Sequence, residues 1–101
     1  MGLNMDSKEK ILKYLKKFLR DKQEEYFIDA IGIFGSVARG EALPDSDIDV
    51  VVKLKKENLF NLAGLHIDLE KLFGISVDVV SYHADMNPFL KKRIDIEAIY
   101  V

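Results

Sequence analysis

The sequence predicts a small α/β domain, a mixed β-sheet with helices packed mainly on one face. Three observations predict it. Apolar stripes at helical spacing alternate with short valine- and isoleucine-rich runs, glycines close several of those runs, and no repeat or linker interrupts the 101 residues. The expected order is helix, strand, strand, helix, strand, helix, in a single domain spanning 1–101.

Met1 to Asn4 read as a frayed lead-in, and Asp6 with Glu9 forms a capping box for the first helix. Ile11, Leu12, Leu15, Phe18 and Leu19 make its apolar stripe, while Lys8, Lys10, Lys13, Lys16, Lys17 and Arg20 fall on the wet side. Gln23 to Tyr26 read as a short polar connection, and Phe27 to Phe34 as the first buried strand, closed by Gly35. Ser36 to Arg39 suit one helical turn stopped by Gly40, and Glu41 to Ser46, with Pro44, suit a loop.

The second strand, Asp47 to Val52, places Asp47, Asp49 and Val51 on one face and Ile48, Val50 and Val52 on the other. Glu57 to Phe73 has a helical pattern with Leu59, Leu62, Ala63, Leu69, Leu72 and Phe73 facing inward and Gly74 as C-cap. Ile75 to Val80 alternates again, setting Ser76, Asp78 and Val80 opposite Ile75, Val77 and Val79. A last helix opens at Asn87-Pro88 with Phe89, Leu90 and Ile94 inward, and Ile96 to Val101 form an extended tail.

Composition narrows the function. Apolar residues make up 49% and charged residues 32% of the chain, which describes an ordered globular protein rather than a disordered one. A formal net charge of -2 argues against a chain whose main task is to grip nucleic acid through its phosphates, so no direct nucleic-acid partner is expected. Cysteine is absent, which removes disulfides and thiolate metal sites. No segment reaches the ~20 apolar residues of a membrane span, and a cytoplasmic protein without a membrane partner is expected.

Four features coincide along the chain: a strand ending in Gly35-Ser36, a short turn closed by Arg39-Gly40, a strand bearing Asp47 and Asp49, and a later strand bearing Asp78. A Gly-Ser pair after a strand is by itself only a turn. Phosphate chemistry gives it a second meaning, because glycine lets the backbone approach a triphosphate while nearby amides and the Ser36 hydroxyl donate to its oxygens. Asp47 and Asp49 could be the wet face of a half-buried strand. However, aspartate is disfavoured in strands, and two carboxylates about 7 Å apart on one face repel each other unless cations sit beside them. Magnesium, a hard ion that prefers oxygen ligands, suits them. Asp78 could complete a site for two ions roughly 3.5 to 4 Å apart.

Gly35-Ser36-Val37-Ala38-Arg39-Gly40 followed by Ser46-Asp47-Ile48-Asp49-Val50 resembles the signature of the polymerase-β-type nucleotidyltransferase superfamily. The Ala-Arg-Gly within it and the short chain resemble the minimal branch, the MNT proteins encoded beside HEPN-domain partners. The resemblance extends through Val77-Asp78-Val79-Val80 to the closing segment, Ile94 to Val101. It implies a polymerase-β-like nucleotidyltransferase core in which Gly35, Ser36, Arg39 and Gly40 bind the nucleotide and Asp47, Asp49 and Asp78 are catalytic metal ligands. It further implies two Mg2+ ions, with Mn2+ as the alternative, and ATP as substrate. Asp78 would also help take a proton from the acceptor hydroxyl, which attacks the α-phosphorus and releases pyrophosphate. Arg39 has two readings, neutralising phosphate or pairing with Glu41 or Asp45.

Other residues have blander readings. His66 and His83 are not spaced as a zinc pair and are expected to be structural. No Gly-Lys-Ser/Thr follows the Gly-Ser turn, which excludes a P-loop. Tyr82, Met86, Phe89 and Tyr100 are expected in the core or its rim rather than as a base platform, and Lys91, Lys92 and Arg93 form a small basic cluster. The leading expectation is an antitoxin that transfers AMP to a tyrosine of a HEPN-domain toxin in a hetero-oligomer. A binding antitoxin without catalysis and an aminoglycoside-type small-molecule transferase are the alternatives, and a homodimer is left open.

Overall fold

The structure, a computed structural model, describes residues 8–43 and 45–101. The expected lead-in, the Asp6 end of the capping box and Pro44 lie outside the described residues.

Helix α1, Lys8–Tyr26, buries Ile11, Leu15, Phe18 and Tyr26. It runs through the stretch expected as a polar connection, because Tyr26 falls on the buried side and stacks on Phe18 at a centroid distance of 6.5 Å. The Tyr26 hydroxyl, donating to Asp68, ties this helix end to the next long helix. Phe27, at φ 56, turns the chain out of the helix.

Strand β1 (Ile28–Phe34) leads directly into the one-turn helix α2 (Gly35–Ala38), and β2 (Ile48–Leu54) returns antiparallel to β1. Helix α3, Leu59–Phe73, is capped by Asn58, whose side chain accepts from the Phe60 and Asn61 amides, and ends at Gly74 in the left-handed conformation. Its stripe is Leu65, Leu69 and Phe73, flanked by Leu62 and Leu72. Leu59 and Ala63, expected inward, are exposed because they lie on the flank of that stripe.

Strand β3 (Val77–Ser81) pairs parallel with β2, and helix α4 (Pro88–Glu97) follows, capped by Asn87 with proline in its first turn. Ile94 is buried on α4, whereas Phe89, also expected inward, is 81% exposed, since five residues separate it from Ile94 and turn it to the far side. The expected tail is half helix. Ile96 and Glu97 close α4, and β4 (Ile99–Tyr100) pairs antiparallel with β1 at Gly32 and Ile33. Gly32 permits this, because a Cβ there would meet the Ile99 carbonyl oxygen at 2.4 Å.

The sheet order is β3-β2-β1-β4. Helices α1 and α3 cover the face bearing Ile31, Ile33, Ile48, Val50 and Val52. The other face carries Phe34, Val51 and Val80, against which α4 lays Leu90 and Ile94. The architecture is therefore the expected mixed sheet with the two long helices on one face, and α4 adds a partial cover to the other.

Candidate functional site

The strand register sets the site. Phe34 of β1 opposes Asp49 of β2, which opposes Asp78 of β3, so the two carboxylates are neighbours across adjacent strands. Both lie on the α4 face, one row beyond Val51 and Val80, where α4 leaves the sheet open. Asp47 precedes β2 and is exposed at its mouth. Burial, then the charge of Asp78, push the Asp49 carboxyl up to about 6, with a smaller push from Asp47 and a partial offset from Arg93.

Gly35 has a purpose here that phosphate chemistry did not anticipate. It sits at φ +73, and a Cβ on it would come within 2.1 Å of Asp49 Oδ2. The missing side chain makes room for the Asp49 carboxylate itself. Ser36 and the rest of α2 follow, and the turn closes through Arg39 N–H to Gly35 O, Gly40 N–H to Val37 O and Glu41 N–H to Ser36 O, with Gly40 at φ +74. Arg39 pairs through Nε with Glu41 Oε1 at 3.0 Å, one of the two partners the sequence offered, and through Nη1 with Glu97 Oε1 at 3.0 Å, which the sequence did not suggest.

Glu97 reaches the site from the end of α4. The Gly35 amide donates to Glu97 Oε1 at 3.1 Å, and Arg93 Nε stands 3.9 Å from Oε2. No sequence signal marks this contact, because 62 residues separate Glu97 from Gly35 and only the placement of α4 brings them together. Arg93, read from sequence as part of a small basic cluster, acts electrostatically on Asp49.

Support for Asp78 comes from α3. His66 Nε2 lies 2.6 Å from the Val77 carbonyl, and the Val77 amide donates to Glu70 Oε2 at 3.1 Å, so two side chains hold the backbone just before Asp78. Tyr82 and Tyr100 sandwich the Lys53 ammonium at 4.8 and 4.9 Å, and the Tyr82 hydroxyl donates to Asp95. They form a cation–π cluster at the far end of the same face, and Met86 packs in the small core beneath α4.

Asp49 and Asp78 offer hard oxygen donors, and their adjacency raises the cost of ionising both, which a divalent cation would relieve. In chemical type the donor set fits such an ion. Among the described residues no three carboxylate or imidazole side chains converge as a preformed cage, which leaves Asp47 as a flanking carboxylate. The arrangement is a pair of carboxylates beside a tight Gly-Ser turn with two arginines at its rim.

A mixed sheet presenting that arrangement defines a nucleotidyltransferase. The chain belongs to the nucleotidyltransferase domain family, whose pattern it matches over residues 12–101. It is 36% identical over 100 residues to the protein adenylyltransferase MntA of Thermococcus cleftensis, covering 98% of this chain and 97% of that protein. A solved structure provisionally described as a minimal nucleotidyltransferase superposes with a TM-score of 0.74 at 32% identity, covering 96% of this chain and 95% of that one. The fold also matches a chain in the structure of a tri-AMPylated Shewanella oneidensis HEPN toxin in complex with its MNT antitoxin. There the TM-score is 0.69 at 19% identity, covering 93% of this chain and 71% of that one. Among the described residues, no helix is long and apolar enough to cross a membrane.

Proposed function

We propose that this enzyme transfers AMP from ATP to a hydroxyl, most specifically a tyrosine, of a HEPN-family toxin and thereby acts as its antitoxin. The observation that carries the reading is the juxtaposition of Asp49 and Asp78 beside the Gly35-Ser36 turn. Two likenesses support the acceptor class: the sequence is similar to a protein adenylyltransferase, and the fold matches a chain in a complex of an AMPylated HEPN toxin with an MNT antitoxin.

In this reading Asp47, Asp49 and Asp78 would hold two divalent ions, Mg2+ or Mn2+, which supply electrostatic stabilisation to the developing charge. Gly35, Ser36 and Gly40 shape the turn that receives the triphosphate, and Arg39 neutralises its charge. Asp78, exposed at the sheet edge, would accept the proton of the acceptor hydroxyl. The hydroxyl oxygen bonds to the α-phosphorus, the bond from that phosphorus to the bridging oxygen breaks, and pyrophosphate leaves. Residues 1–101 would act as one catalytic unit in a hetero-oligomer, with the partner supplying the acceptor.

A second reading, neutralisation by covering the partner, draws on exposed apolar side chains: Leu59 (81%), Phe60 (90%) and Ile96 (74%). Position-specific labelling separates the two. Incubated with the HEPN partner and magnesium, ATP labelled at the α-phosphate should label the partner, whereas γ-labelled ATP should not. Absence of label from either form, in a stable complex, would favour the covering mode.

A further inference from the structure

We propose that Glu97 is a positioning residue for the nucleotide, locking the Gly35-Ser36 turn and the Arg39 guanidinium to the end of α4. The inference rests on the transferase reading above. Glu97 is not an ordinary surface ion pair, which would contribute little and fix nothing. Its side chain is only 18% exposed, and a single oxygen, Oε1, accepts both the Gly35 amide at 3.1 Å and Arg39 Nη1 at 3.0 Å. The other oxygen faces Arg93, so one carboxylate stands between two guanidinium groups.

The amide it holds belongs to a residue in the left-handed region whose Cα lies against the Asp49 carboxylate. Gly35 therefore cannot shift without changing the space left for Asp49. Through Glu97 the turn, Arg39 and the carboxylate pair form one connected unit, set before a triphosphate arrives. A preset turn strengthens nucleotide binding because its ordering cost falls on folding rather than on association. Loss of the contact should thus appear chiefly as weaker ATP binding.

Two conservative variants separate reach from charge. E97Q keeps an oxygen acceptor at the same reach and removes the charge, whereas E97D keeps the charge and is one methylene too short. In the nucleotide-free protein, the Gly35 amide should remain slow to exchange in E97Q and exchange faster in E97D, read by 15N NMR. With magnesium present, calorimetry should show ATP binding within about twofold of wild type for E97Q and about tenfold weaker for E97D. Melting temperatures of all three proteins confirm that folded protein is compared. Equal ATP affinity in E97D and wild type would overturn the role of Glu97, as would an E97Q as weak as E97D. A wild-type protein that binds no ATP would overturn the transferase reading and this inference with it.

Discussion

Asp49 is held where its charge is costly. Folding raises its pKa above the usual carboxylate value to about 6, so its contribution to stability is complete below pH ~4 and lost as pH rises through about 6. The metal-free Asp49→Asn protein should therefore melt with wild type at pH 4 and above it at pH 7. The gap should be roughly 1 to 2 kcal/mol, moderated by partial exposure, or several degrees in Tm. Parallel melting curves across that range would contradict the assignment. Gly35→Ala tests the neighbouring contact. Its positive φ and the approach of Asp49 predict a loss of about 1–3 kcal/mol or more, with AMP transfer reduced along with it, both read on the purified variant. At this scale, strand alternation alone placed Asp49 and Asp78 on corresponding faces. Their adjacency needed the parallel register of β2 and β3, which no local pattern specifies. Glu97 was illegible for a similar reason, since its partner is 62 residues away on the turn.

Strand β3 is a sheet edge, and α3 secures it. Val77 has its amide and carbonyl held by Glu70 and His66, so the strand bearing Asp78 is anchored by side chains as well as by β2. Glu70→Ala should lower stability by about 1–2 kcal/mol and speed hydrogen exchange at Val77, while α3 amides stay protected. Unchanged exchange at Val77 would show that the strand holds itself. Most elements were legible because helical and strand periods differ and caps such as Asn58, Gly74 and Asn87-Pro88 mark ends. Three of the misreadings share a cause. Tyr26, Leu59 and Phe89 sit at helix ends, where periodicity cannot tell which apolar residue still overlies the sheet and which overhangs it. The short β4 was hidden because pairing with β1 beside Gly32, rather than intrinsic pattern, makes it a strand.

Across the molecule, the two faces of the sheet are used differently. One carries the main core under α1 and α3, and the other is only partly covered by α4, leaving the Asp49 and Asp78 row open at the end where α2 begins. In the proposed reaction the acceptor hydroxyl, carried by the HEPN partner, enters at that open end, and transfer of AMP to it is the central claim. Intact mass of a co-purified HEPN partner, before and after incubation with ATP and magnesium, tests it most directly, using wild type and the Asp47→Asn, Asp49→Asn double variant. The account predicts a gain of one or more AMP units with wild type and none with the double variant. No gain with wild type in a stable complex, or an equal gain with the double variant, would contradict it.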